Sequence, residues 1–223
     1  VGFDASEHML EQLSSGKWEV VKFLGCDTTE QSLFFIATGK PPLEFHLYRF
    51  DRNTGNLQRL TSEAGTHEVI MNKSGSFFID NFSSYTIPRK IALLNNSGNI
   101  VSELLTAKNP IENYELGEVI TDTLLAADGK TTLYYQITKP VNFKAKKRYP
   151  VLVYIYGGPH LQLINNTWMD RQAYFNQYMA QHGYLTFMID TRGSDYRGKE
   201  FEEIIYRQTG IPQLEDVMEG IKL

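Results

Sequence analysis

The apolar and polar positions change their rhythm once along the chain. Over residues 16–106 they form short runs separated by turn signals, the pattern of an all-β segment. Residues 18–24 alternate in part and break at Cys26-Asp27-Thr28-Thr29. Residues 33–38 predict a second strand, closed by Gly39-Lys40-Pro41-Pro42, and residues 45–50 a third. The stretch 51–56 carries hairpin turn chemistry, so residues 57–61 return as a fourth strand. The order then recurs. Phe77-Phe78-Ile79 repeats Phe34-Phe35-Ile36 at a spacing of 43, and Asn96-Ser97-Gly98-Asn99-Ile100 repeats Asn53-Thr54-Gly55-Asn56-Leu57 at the same spacing. Such a period with four strands per unit marks β-propeller blades, because one four-stranded sheet buries both faces only when neighbouring blades cover it. Two halves of a sandwich would give a similar repeat. A propeller takes about four to eight blades. Only two fit here, which predicts further blades before Val1.

Near residue 107 the rhythm shifts. Residues 107–113 form a polar, Pro-containing connector, and residues 115–121 and 131–138 predict two strands around a turn at Asp128-Gly129. The basic run 144–148 reads as a solvated loop. Val151-Leu152-Val153-Tyr154-Ile155-Tyr156 is continuously apolar, which suits a strand buried on both faces of a parallel sheet, and Gly157-Gly158-Pro159 closes it. Helical spacing over 168–182 sets Trp168, Tyr174, Phe175, Tyr178 and Met179 on an apolar stripe, with Gly183 as the stop. Residues 184–189 predict a second buried strand ending at Asp190. A loop over 191–198 and a helix from Gln213 follow. This order is α/β with a parallel sheet.

Composition narrows the classes. With 223 residues, 42% of them hydrophobic, the chain can fill one large core or two small ones. A balance of 22 Lys+Arg against 26 Asp+Glu argues against a general nucleic-acid binder, and no such role is expected of the run 144–148. Thirteen Tyr and thirteen Phe exclude a disordered chain. One cysteine, Cys26, excludes an internal disulfide framework and a thiolate metal cluster. No apolar run approaches the roughly 20 residues of a membrane span, and no signal peptide opens the sequence.

Gly157-Gly158-Pro159, at the end of an apolar strand, is the most informative local feature. In an α/β-hydrolase this loop contributes one donor to the oxyanion hole, although a tight strand-to-helix turn would look the same. No Gly-x-Ser-x-Gly occurs, so the chain lacks a nucleophile elbow. Ser76 and Ser194 follow glycines without the flanking pattern. The histidines are His8, His46, His67, His160 and His182, none at a zinc-type spacing or with an evident Asp partner. His46 and His67 read as ordinary strand residues and His182 as a helix C-terminal residue favoured by the dipole. His160, beside the turn, either lines a pocket or is a plain loop residue. Nothing here forms a triad, and no metal or cofactor is expected.

In order, Tyr149 through His160 (YPVLVYIYGGPH) and Asp190 through Gly198 (DTRGSDYRG) resemble the prolyl oligopeptidase clan, and within it the bacterial dipeptidyl peptidase IV branch. Gly16-Lys17-Trp18-Glu19-Val20 is similar to that branch's propeller sequence. The resemblance covers essentially the whole chain. It implies a mixed fold: 1–108 as the last two blades of a β-propeller, and 109–223 as the first half of an α/β-hydrolase domain ending before the nucleophile. It also implies a serine exopeptidase that releases X-Pro or X-Ala dipeptides from peptides with a free N-terminus. Tyr156 maps onto the tyrosine whose hydroxyl stabilises the oxyanion, with Gly157, Gly158, Pro159 and His160 as substrate-pocket candidates. The Arg192-Gly193-Ser194 loop reads as support for the sheet. The family's nucleophilic Ser, Asp and His would follow Leu223, and its amine-binding glutamates would precede Val1. The chain is then expected to be a middle fragment, inactive alone, of an exported, periplasmic parent for which a homodimer is open. The alternatives are a non-catalytic scaffold of the same fold, or another clan member such as an acylaminoacyl peptidase or oligopeptidase.

Overall fold

The computed structural model describes residues 2–3 and 9–223, with side chains from Gln12 onward, so His8 lies outside the described residues. The chain divides into two compact units, Val1–Lys108 with Asn166–Trp168, and Asn109–Asn165 with Met169–Leu223. Among the described residues no helix is long and apolar enough to cross a membrane.

In the first unit, β1 (Gly2–Phe3) and β2 (Met9–Glu11) pair antiparallel. Two four-stranded antiparallel meanders follow. The first is β3 (Val20–Cys26), β4 (Ser32–Thr38), β5 (Phe45–Asp51) and β6 (Leu57–Arg59). The second is β7 (Thr66–Met71), β8 (Phe77–Ser83), β9 (Lys90–Asn95) and β10 (Ile100–Thr106). One parallel register point, Phe45 opposite Thr66, links them. Each meander is a propeller-type blade rather than half of a sandwich.

The structural repeat is longer than the sequence match at 43. Asp27 Oδ1 accepts the N–H groups of Gln31 and Ser32, and Asn72 Oδ1 accepts those of Ser76 and Phe77, so these turns correspond. That overlay places Ser32 on Phe77 and Phe34 on Ile79. The Phe-Phe-Ile match is therefore two residues out of register. A two-residue slip keeps each side chain on its face, which is why it still reads as a repeat.

Strand alternation builds the packing. Phe34, Ile36 and Leu47 of the first blade meet Val69, Phe78, Ala92 and Leu94 of the second, with the Phe34 and Phe78 rings 5.0 Å apart. The other face of the first blade carries Phe35, Ala37 and Phe50. There Trp18, although it precedes β3, stacks on Phe35 at 5.9 Å and on Tyr48 at 6.1 Å. Full burial of one such phenylalanine contributes about 1.5–3 kcal/mol. His46 and His67 are buried beside this core, with ring centroids 5.1 Å apart. His46 Nε2 donates to Glu44, and His67 Nδ1 to Asp80. Burial pushes His46 below its ordinary value, against the hydrogen bond to Glu44.

The excursion Asn166–Trp168 completes the first unit. Asn166 uses all four of its polar groups there. Its N–H donates to Leu43 O at 2.7 Å and its Nδ2 to Glu44 Oε1 at 2.9 Å. Its Oδ1 accepts from Tyr85 N, and its carbonyl from the Thr66 hydroxyl. The expected helix from Trp168 is accordingly shorter. Trp168 N is bound to Ser83 Oγ, and Asp170 caps the helix by accepting from Ala173 N at 2.8 Å.

The second unit holds β11 (Val119–Leu125), β12 (Thr132–Thr138), β13 (Val151–Tyr154), α1 (Arg171–Gln181), β14 (Leu185–Asp190), α2 (Lys199–Glu203) and α3 (Ile211–Ile221). The sheet order is β11-β12-β14-β13, with β13 and β14 parallel and the other pairs antiparallel. Phe187 and Ile189 point to one face, where Val217 and Gly220 of α3 pack; Met188 points to the other, toward Asn176 of α1. The result is a helix–sheet–helix sandwich, an α/β-hydrolase-type sheet.

Three expectations fail here. The strand expected at 115–121 begins only at Val119, because Gln177 binds both the N–H and the C=O of Gly117 at 2.8 and 3.0 Å and takes that segment out of the ladder. The apolar run after Pro150 is not buried on both faces. Its strand is only Val151–Tyr154, outermost in the sheet among the described residues, with Val151 55% exposed and Tyr156, beyond the strand, 51% exposed. The stripe on α1 is inverted, since Asn176, Gln177 and Ala180 are buried and Tyr174, Phe175 and Tyr178 exposed. Helical spacing located the stripe, but the polar contacts of Gln177 and Asn176 set which face turns inward.

Candidate active site

The apolar register of β13 carries the chain to Tyr156, where the backbone turns. Gly157 has φ of +64°, a left-handed conformation that favours glycine. A Cβ there would also stand 3.2 Å from Gln213 Cγ. The Gly157 carbonyl accepts from Gln213 Nε2 at 2.7 Å. Gly158 lies under the Tyr156 ring, and a Cβ on it would be 3.3 Å from Tyr156 Cε1. Pro159 is half-buried. His160 is exposed with φ of +72°, an uncommon conformation for a residue with a side chain. Among the described residues the hydroxyl of Tyr156 and the ring of His160 have no hydrogen-bond partner. The five candidates thus form one short turn with a phenol at its head, free to donate outward.

The segment after the turn is held from below. Asp190, the last residue of β14, accepts from Leu163 N at 2.8 Å and Ile164 N at 2.9 Å. Desolvation pushes Asp190 up to about 6, against those two bonds and the charge of Arg197. Arg197 lies over the Tyr134 and Phe201 rings and donates to Thr132 O. Because the folded value exceeds the unfolded one, the native state binds more protons between about pH 4 and 6, and this group's contribution falls as pH rises through that window. The expected loss is about 3 kcal/mol. Comparing urea unfolding of the wild type and Asp190→Asn at pH 4 and pH 7 checks it. The wild type's advantage shrinks by about that amount on the sign given; a difference independent of pH would contradict the assignment.

Arg192 N and Nε donate to Asp216 at 2.9 and 3.0 Å, and Asp216, fully buried, also accepts from Ala127 N. The loop expected to support the sheet is thereby tied to α3. Ser194 is buried and donates to Thr191 O, and Ser76 sits in the turn of Asn72. Neither meets a histidine. His182 caps α1, its Nδ1 bound to Tyr178 O. Among the described residues no group of three or more His, Cys, Asp or Glu could hold a metal ion. Asp190, Asp216 and Gln213 were invisible as site-supporting residues in the sequence. The one local signal was the position of Asp190 at the end of a buried strand.

Comparison with known proteins finds relatives for both units. Residues 2–89 match the family described as Dipeptidyl peptidase IV (DPP IV) N-terminal region, and residues 171–223 match the Prolyl oligopeptidase family. These matches support a dipeptidyl peptidase IV-type fragment of the prolyl oligopeptidase clan. Human dipeptidyl peptidase 8 is 29% identical over 225 residues, covering 94% of this chain and 25% of the relative. A protein described as a dipeptidyl aminopeptidase IV of Bacteroides ovatus superposes with a TM-score of 0.87 at 35% identity, over 95% of this chain and 30% of that one. Porphyromonas gingivalis dipeptidyl peptidase 4 shares the fold with a TM-score of 0.80 at 24% identity, over 94% and 29%. The chain spans about a quarter of the length of the curated relatives it matches. Both matched families fall where the two kinds of sheet lie, blades first and hydrolase-type sheet second.

Proposed function

We propose that this chain is part of a serine exopeptidase that releases X-Pro or X-Ala dipeptides from peptides with a free N-terminus. Residues 1–108 serve as propeller blades and 109–223 as the start of the hydrolase domain. The observation that carries the reading is Tyr156, half-exposed at the strand end ahead of the Gly-Gly-Pro turn, with its hydroxyl uncommitted among the described residues. In acyl transfer a serine hydroxyl attacks the scissile carbonyl, and the oxygen of that carbonyl takes up the negative charge. The Tyr156 O–H donates to that oxyanion together with a backbone N–H, and Gly157, Gly158, Pro159 and His160 line the pocket beside it. The serine, its histidine and its aspartate lie outside these 223 residues, as do the groups that bind the substrate amine. A parent protein exported from the cytoplasm, assembled as a homodimer, belongs to the same proposal.

A fluorophosphonate probe, read by intact mass on the protein from its natural source, tests this. A labelled species that contains these 223 residues and is far heavier than 25.6 kDa is expected. A species that takes no label would favour the non-catalytic scaffold instead.

A further inference from the structure

We propose that Gln213, on the first turn of α3, is a positioning residue for Tyr156 and acts through the carbonyl of Gly157; this rests on reading Tyr156 as the oxyanion donor. A hydroxyl stabilises a transition state only if its direction is fixed before the charge develops. At Tyr156 no group among the described residues holds the hydroxyl itself, so its direction is set from the backbone side. The ring rests on Gly158, and the plane of the Gly157–Gly158 peptide decides where that support lies. One side chain holds that plane. Gln213 Nε2 donates to Gly157 O at 2.7 Å, while its Oε1 accepts from Gly210 N at 2.8 Å.

Both ends of the amide are therefore used, and the residue is buried. It bridges the turn to the helix N-terminus, where an unpaired backbone N–H needs an acceptor in any case. The chemistry explains why the position takes an amide. Glutamate keeps the acceptor for Gly210 but turns a carboxylate toward a carbonyl oxygen, and methionine fills the space with neither group. The left-handed Gly157 leaves room for the contact, since a Cβ would press on Gln213 and come within 3.5 Å of Thr191 Oγ1. Thr191 Oγ1 is itself buried without a partner, so no second polar group shares the work of fixing the turn.

The test is a double-mutant cycle on the full-length enzyme with an Ala-Pro substrate: wild type, Gln213→Met, Tyr156→Phe and the pair. A misplaced donor costs turnover rather than binding, so Gln213→Met is expected to lower kcat by roughly tenfold or more with KM nearly unchanged. In the Tyr156→Phe background the same substitution is expected to change kcat by less than about twofold, because there is no hydroxyl left to aim. An equal loss in both backgrounds, or an unchanged kcat, overturns the positioning role while leaving Tyr156 in place. If Tyr156→Phe alone does not lower kcat, the oxyanion reading fails and the proposal falls with it. Gln213→Glu, run through the same cycle, supplies the result should the methionine variant not fold.

Discussion

In the full-length protein, replacing Tyr156 with phenylalanine is expected to lower kcat for an X-Pro substrate by roughly two to three orders of magnitude, the usual cost of one oxyanion donor. KM should move little. The ring remains, so its packing on Gly158 and the turn behind it are kept, and only the hydroxyl is lost. That hydroxyl makes no hydrogen bond among the described residues, so its removal leaves no buried group unsatisfied and costs little stability. The effect is thus confined to the transition state, where charge first appears on the substrate oxygen. Steady-state kinetics with a chromogenic Ala-Pro substrate, beside a thermal melt of each protein, separates the two. A kcat within a few-fold of wild type would remove Tyr156 from the chemistry.

The second large effect concerns the sheet that presents this turn. Asp216→Ala is expected to destabilise the second unit by about 3–5 kcal/mol, because it strands Arg192 without its buried partner. Three donors converge on Asp216, namely Ala127 N, Arg192 N and Arg192 Nε, and Arg192 Nη2 adds an ion-pair contact at 2.8 Å. The hydrogen bond to Asp216 holds the Arg192 guanidinium above its ordinary value, with Asp128 and Glu215 adding to it. Replacing both partners, as in Arg192→Met with Asp216→Leu, should cost less than the single change, since no charge is then left unpaired. Both tryptophans, Trp18 and Trp168, lie in the first unit, so their fluorescence does not report on this loss. Hydrogen exchange at the amides of β14 does. Unchanged protection there in Asp216→Ala would contradict a structural role for the pair.

Much of the architecture was legible because it rests on local periodicity. Apolar runs bounded by turn signals located β4, β5 and β14 to within a residue or two, and the recurring hairpin turns at Asp51 and Asn95 marked the blade repeat. Burial was less legible. The run 151–154 is as apolar as any buried strand, and it is the outermost strand of the sheet among these residues, which are proposed as only the start of the hydrolase domain. The helix after Asp170 was placed by its spacing and turned the wrong way, because side-chain amides such as Gln177 reach backbone groups far along the chain. The same limit applies to the site. Tyr156 and the glycines announce themselves by type and order. Gln213 and Asp190 matter only through contacts 56 and 26–27 residues away.

Peptide cleavage by the natural protein tests the central claim most directly. Two peptides beginning Ala-Pro, one with a free amino terminus and one acetylated, are incubated with it and the products weighed. Release of the Ala-Pro dipeptide from the free peptide alone is the result this account predicts. No dipeptide from either peptide, or equal cleavage of both, would contradict it.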